Sequence, residues 1–322
     1  MSVLHILQIG PMASVQDLGR KGWLHAGVSG AGPMDPQSFR LATALVGNAP
    51  DAAGLEFAAI GGRFEVSAPV RFAVTGGGVD IRRGEERLHV WESHDLRPGE
   101  VLTIGALRGC MWGYLALSGG IDTPPVMGSR STHLRSGIGG HDGRRLQVGD
   151  RLPLGSAAPA PLLALRHPVR QRPSDTLRVV PGPQDDRFAA EVLRTFLASP
   201  FSLSSARDRM AQVLDGPTLV AEGGHDIISD GTCAGSIQVP AAGRPLVLMA
   251  ERQTTGGYPK IATLASADLP SLAQLATGHR VRFRAVSQAE AEDALLAARA
   301  ELARCLGALG EKRRPRATGG MP

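Results

Sequence analysis

The chain has 322 residues, 43 % of them hydrophobic and 20 % charged, which is a globular composition long enough for two hydrophobic cores. The formal net charge is +5, but Lys312, Arg313, Arg314 and Arg316 against Glu311 place +3 of it in the last twelve residues. With aromatics at 4 % and the basic run confined to a tail, the composition argues against nucleic-acid binding.

The N-terminal residues show no basic segment followed by an apolar stretch and a cleavage site, and no apolar run approaches the roughly 18 residues of a membrane span. Cys110, Cys233 and Cys305 are widely spaced and unpaired in sequence, so they read as thiols of a reducing compartment, with no metal site. The expected location is the cytoplasm, without membrane attachment.

Taken in chain order, a helix is predicted over 36–46, with Asp35 as cap, Pro36 in the first turn and Gly47 at its end. Short alternating segments around a glycine turn follow at 96–102 and 146–152, each reading as two strands and a tight bend. Residues 156–176 collect Pro159, Pro161, Pro168 and Pro173 and are the expected linker. Helices are predicted at 185–198 and 269–276, and a third glycine turn at 276–283. From about 288 to 309, Ala291, Leu295, Ala298, Leu302, Cys305 and Leu309 recur at helical spacing as one apolar stripe. The expected domains are 1–160, 177–286, a helix over 287–310 and a basic disordered tail over 311–322.

Four segments set polar side chains among glycines, a combination that lets backbone approach a ligand closely. They are Val15–Arg20, Gly128–Thr132, and the stretches 229–240 and 252–263. Gln16 and Asp17 read either as a turn whose carboxylate bonds local amides or as a site where Asp17 receives a proton. Arg130, Ser131 and Thr132 read either as a polar hairpin turn or as binders of a carboxylate or phosphate. Lys260 is one of three lysines among 35 Lys and Arg residues. Beside Gly256, Gly257, Tyr258 and Pro259 it suggests a compact ammonium that stabilises negative charge, against the alternative of a solvated loop lysine.

The motifs SVQDLGR at 14–20, GVSGAGPMD at 27–35, LATALVGN at 41–48 and LEFAAIGG at 55–62 occur in order. They continue with GSRSTHLRSGIGGHDGRRLQVGD at 128–150, VVPGPQDDRF at 179–188, SIQVPAAGRPLVLMAERQTTGGYPKIAT at 236–263 and ADLPSLAQL at 267–275. Together they resemble the family of the 5-oxoprolinase C subunit, also called the biotin-dependent carboxyltransferase family, KipA or allophanate hydrolase subunit 2, over residues 5 to about 285. One local departure stands out. Where the family commonly shows Ser-Asp-Arg-Met-Gly-Tyr-Arg-Leu, this chain has Arg207-Asp208-Arg209-Met210-Ala211-Gln212-Val213-Leu214, which puts a pocket wall in question.

The resemblance implies a mainly β fold of tandem cyclophilin-like β-barrel domains with a few short helices and a C-terminal helix. It implies a protein that joins subunits A and B (KipI-like) to hydrolyse 5-oxo-L-proline to L-glutamate with ATP. Lys260 and Asp17 are then the expected catalytic residues. Gln16, Arg130, Ser131, Thr132, Gln253, Thr254 and Tyr258 are expected to bind the small-molecule substrate. No G-x-x-x-x-G-K-[ST] loop is present, so this chain offers no located ATP site. Two other readings stay open: a carboxyltransferase component acting on urea or a related nitrogen compound with a separate biotin carrier, since no covalent biotin motif is present, and a KipA-type regulatory protein that binds a KipI-like partner.

Overall fold

The computed structural model describes residues 2–166 and 174–312. Of the predicted linker, 167–173 lie outside the described residues, as do 313–322 of the predicted tail.

The chain is mainly β, and its strands fall into two groups. In the first, a six-stranded antiparallel sheet runs Arg151–Leu154, Ser2–Ile9, Ile60–Val66, Leu102–Arg108, Gly78–Arg83, Glu86–Leu88. It faces a five-stranded sheet ordered Ser14–Gln16, Gly54–Ala58, Trp112–Leu117, Val70–Thr75, Ser93–Leu96. In the second group, seven strands between Thr176 and Ala285 form a closed barrel, sealed where Thr176–Pro181 pairs in parallel with Arg280–Ala285. Closure leaves no edge of this sheet open to stray pairing.

Strand Trp112–Leu117 shows why the two groups pack together. All six residues are buried, and the two-residue period of a strand sends them alternately to opposite faces. Leu115 and Leu117 enter the core between the two sheets, with Leu4, Ile6, Phe64 and Phe72. Trp112, Tyr114 and Ala116 enter a second core that continues through Phe39 into the barrel interior at Leu177, Phe201 and Phe283. One strand therefore serves both cores.

The helix Pro36–Leu45 covers this shared face, and Asp35 caps it as predicted: Oδ1 accepts from the N–H groups of Gln37 and Ser38, both at 3.1 Å. The predicted glycine turns form, with φ of 84° at Gly99 and 91° at Gly149. The helix expected over 185–198 is instead a single 3-10 turn, Asp185–Arg187, followed by Ala190–Ala198. Phe188 is extended between them, and burying its ring in the barrel core breaks the helix. The C-terminal helix, Gln288–Gly307, begins with a Ser287/Glu290 capping box, yet none of its residues is buried. Its predicted stripe is only partly covered. Residues 311 and 312, expected to belong to a disordered tail, are instead ordered: Leu309–Glu311 pairs with Leu163–Leu165 and the Lys312 N–H donates to Leu162 O at 2.8 Å.

Polar ties cross between the groups, two of them at buried side chains. Gln274, on the barrel-side helix Leu269–Gln274, accepts from the Met111 and Trp112 N–H groups and donates to Asp35 Oδ2 at 3.0 Å. Arg209, 1 % exposed, lies between Glu56 of the five-stranded sheet and Glu251 of the barrel group. Its Nε donates to Glu251 Oε1 at 2.5 Å, its Nη1 to Glu56, and its Nη2 to Gly32 O at 2.6 Å. Removing one member of such a buried cluster strands the others without water or partner, at a cost of about 3–5 kcal/mol. Arg209→Ala is expected to lower unfolding free energy by that amount in a denaturant titration. A loss within the ordinary surface range, below about 0.5 kcal/mol, would show that the cluster is not a structural tie.

Candidate functional site

The predicted polar residues of the first group meet in one place. Strand Ser14–Gln16 is too short to satisfy its surroundings alone, and Ser129–Thr132 runs alongside it. The Thr132 N–H and hydroxyl both donate to Val15 O at 2.9 Å. Asp17, 7 % exposed, ties the two segments together. Its Oδ1 accepts from the Ser129 hydroxyl (2.5 Å), the Ser131 hydroxyl (2.7 Å) and the Gly19 N–H (2.9 Å), and Oδ2 accepts from the Arg130 N–H (2.5 Å). Both oxygens are engaged, which is the local-amide arrangement rather than that of a carboxylate open to water. Gln16 is fully buried: Nε2 donates to Ser14 Oγ and Thr132 O, and Oε1 accepts from the Gly32 N–H at 3.1 Å. Arg130 lends its backbone to this cluster, while its guanidinium turns to Asp122 at 2.7 Å.

Lys260 belongs to a different cluster, in the barrel group. It opens the strand Lys260–Leu264 and is 2 % exposed, so the sequence alternative of a solvated loop lysine does not hold. Nζ donates to Asp230 Oδ2 at 2.5 Å and to Gly231 O at 2.8 Å. That ammonium, with Gln184 and the Gly231 N–H, holds the Asp230 carboxyl below the ordinary aspartate range. Asp230–Gly231 and Thr255–Gly256 form a two-stranded ribbon over this ion pair. Buried Gln238 accepts from Gln253 Nε2 at 3.0 Å. The Thr232 N–H donates to Thr254 O at 3.0 Å. Tyr258 is 38 % exposed at the rim.

The structure thus divides the predicted site residues into two sets, Gln16, Asp17, Arg130, Ser131 and Thr132 in one, Gln253, Thr254, Tyr258 and Lys260 in the other. Glu251 joins them. Its Oε2 accepts from the Leu134 N–H at 3.0 Å, two residues past Thr132, and it precedes Gln253 by two residues. A cavity of about 310 Å³ opens at this junction, lined by Met12, Leu134, Arg135, Arg145, Met210 and Glu251. Neither this cavity nor a larger one, about 730 Å³ beside His94 and Lys312, is lined by any of the predicted site residues. Among the described residues, no group of three or more His, Cys, Asp and Glu could hold a metal ion, and no helix is long and apolar enough to cross a membrane. At the departure noted in the sequence, Gln212 is fully buried, neither end of its amide has a partner, and it does not line the junction cavity.

Sequence reasoning missed Arg20, His133, Asp230 and Glu251. Each lies in or beside a segment already marked as polar and glycine-rich; what was invisible was the partner far along the chain. His133, 3 % exposed, accepts from the Ser136 N–H at Nδ1, so its proton sits on Nε2, which donates to Ser29 Oγ at 2.9 Å. Burial lowers its pKa below 6.5; Glu251 opposes this, and the nearby Arg20 and Arg209 add to it. An unfolded His133 takes up a proton that the folded one resists. Stability attributable to this group is therefore present above the unfolded pKa and is lost as pH falls toward the depressed folded value. His133→Gln is expected to flatten the fall in melting temperature between about pH 7.5 and 5, leaving the part due to His94, also lowered by burial. An unchanged pH profile would contradict the assignment.

A family described as the carboxyltransferase domain, subdomain A and B, matches residues 26–285. The C subunit of 5-oxoprolinase from Escherichia coli strain K12 is 38 % identical over 290 residues, 90 % of this chain and 93 % of that one. The protein of the same name from Haemophilus influenzae is 34 % identical over 298 residues, again 90 % and 93 %. The crystal structure of the K. lactis urea amidolyase superposes on 94 % of this chain with a TM-score of 0.86 at 27 % identity, this chain corresponding to 20 % of that one.

Proposed function

Because the chain belongs to the carboxyltransferase family of subdomains A and B, and matches the 5-oxoprolinase C subunit along nearly its whole length, we propose that it is the C subunit of an ATP-dependent 5-oxoprolinase. In this reading it works with subunits A and B to open 5-oxo-L-proline to L-glutamate. The full-length match at 38 % identity is the observation that carries the assignment.

The lactam amide is unstrained toward water, and opening it develops negative charge on its carbonyl oxygen. Lys260 suits that charge. Its ammonium is desolvated, and its protein partner Asp230 has a half-exposed side chain on a two-residue ribbon. A substrate anion or developing oxyanion would displace Asp230 and gain the ammonium's full attraction in a site with little water. Gln253 and Tyr258 would orient the ring, with Thr254 contributing through backbone. Asp17, both of whose oxygens hold loop donors, would position Ser131 and Thr132 rather than carry a proton. Arg130, turned to Asp122, would reach a substrate carboxylate only by leaving that pair. ATP would be bound by a partner.

A second reading, carboxyl transfer to urea or a related nitrogen compound with a separate biotin carrier, draws on the likeness to the K. lactis urea amidolyase. The two readings separate in one assay. Alone the chain is expected to turn nothing over; mixed with its A and B subunits it is expected to form glutamate from 5-oxo-L-proline with ATP. Lys260→Ala is expected to cut that rate by ~10²-fold or more. Lys260→Arg should also be poor, because a planar guanidinium does not fit where a compact ammonium is enclosed. Variants that fold, assemble and keep full rate would remove Lys260 from the chemistry. Carboxylation of urea with no glutamate formed would replace the assignment by the second reading.

A further inference from the structure

Arg20 is 4 % exposed and makes one side-chain hydrogen bond, from Nη2 to Ser131 O at 2.6 Å. Its Nε and Nη1 are buried and have no partner. The two acids whose fields reach it are already committed: Asp17 to four donors, Glu251 to Arg209 and the Leu134 N–H. Burial accordingly lowers the guanidinium's pKa despite those two charges. A guanidinium out of water without a hydrogen-bonded counter-charge is among the most costly arrangements a fold can hold.

Backbone packs closely against the bonded side of this group. Gly139, with φ of 68°, passes so close that a Cβ there would lie 2.7 Å from Arg20 Nη2 and 2.2 Å from Ser131 O. Any side chain at 139 would press on the guanidinium and on the carbonyl that orients it. The Ser29 hydroxyl accepts from His133, which frees its own proton for an acceptor. His133 in turn is within the fields of Arg20 and Glu251. Glu251 lines the junction cavity, whose wall carries the exposed cations Arg135 and Arg145. Neither is ion-paired to an acid among the described residues, and the lining as a whole sets three arginines, with Arg209, against Asp208 and Glu251.

We propose that Arg20 is a carboxylate-binding residue: the second hydrogen of Nη2, together with the unpartnered Nε–H or Nη1–H on the same edge, takes the carboxylate of the small substrate, reached through the junction between the two strand groups. This rests on the oxoprolinase reading for the identity of that substrate, 5-oxo-L-proline, whose ring carries a single carboxylate. A planar guanidinium with two parallel N–H bonds matches that group in geometry and charge, which an ammonium would not. Arg20 would then supply binding and selection, and Lys260 the charge chemistry.

The test uses the assembled complex with 5-oxo-L-proline and with 2-pyrrolidinone, the same lactam without the carboxylate. Arg20→Gln is expected to raise the KM for 5-oxo-L-proline by roughly 10–100-fold with a smaller change in kcat, and to abolish discrimination between the two lactams. Arg20→Lys should recover only part of the loss. Unchanged KM and discrimination in folded Arg20→Gln would overturn the proposal while leaving glutamate formation, and so the oxoprolinase reading, intact. Thermal stabilisation of the wild-type complex supplies a readout that needs no variant: 5-oxo-L-proline is expected to raise its melting temperature and 2-pyrrolidinone not. Equal effects of the two, or stabilisation by inorganic phosphate alone, would also overturn it.

Discussion

Among the described residues, Arg209 occupies the one place where the two strand groups exchange full charges out of water, with Glu56 on one side and Glu251 on the other. Burial alone would lower the guanidinium's pKa, but the two carboxylates raise it above its ordinary value. Burial pushes the Glu56 carboxyl up, against the pull of Arg209, the Met34 N–H and the Tyr114 hydroxyl. The cluster holds only because every member is hydrogen-bonded. Such a device adds little net stability over an apolar packing, but it tolerates one geometry and penalises others. In this chain that geometry is the relative placement of two cores that already share strand Trp112–Leu117.

The junction inherits its shape from that placement. Glu251 spends one oxygen on Arg209 and the other on the Leu134 N–H, so the segment carrying Ser131, Thr132 and His133 is pinned to the barrel group. Gly32 gives its carbonyl to Arg209 and its N–H to Gln16, linking the same cation to the other predicted loop. The Asp17 cluster, the Arg20 guanidinium and the start of the Gln253–Lys260 stretch therefore depend on one buried charge, although none of them touches it directly.

Much of the local structure was legible because local chemistry dictates it. Asp35 before Pro36 caps a helix whatever lies above it, and Gly99 and Gly149 sit where a positive φ is needed. The mainly β class, the barrel and the family followed from strand signals and colinear motifs. The break at Phe188 was not legible, because a buried ring overrode helical spacing. For the site, sequence marked the right segments and could not pair them. Lys260 was singled out by its rarity, but its partner Asp230 lies thirty residues away, and Arg209 pairs with Glu56 across 153. Arg20 stood inside a marked motif unread, since an unpartnered buried donor is defined by what surrounds it in space.

The claim that one buried cation sets the junction is tested most directly by site-resolved hydrogen exchange on folded Arg209→Met, a substitution that keeps apolar bulk and removes the charge. The account predicts faster exchange together at the Met34 and Leu134 amides, which donate to the two orphaned glutamates, and at the Gly32 amide that Gln16 holds. Acceleration confined to the hairpin carrying residue 209, with Met34, Leu134 and Gly32 as protected as in the native chain, would contradict it.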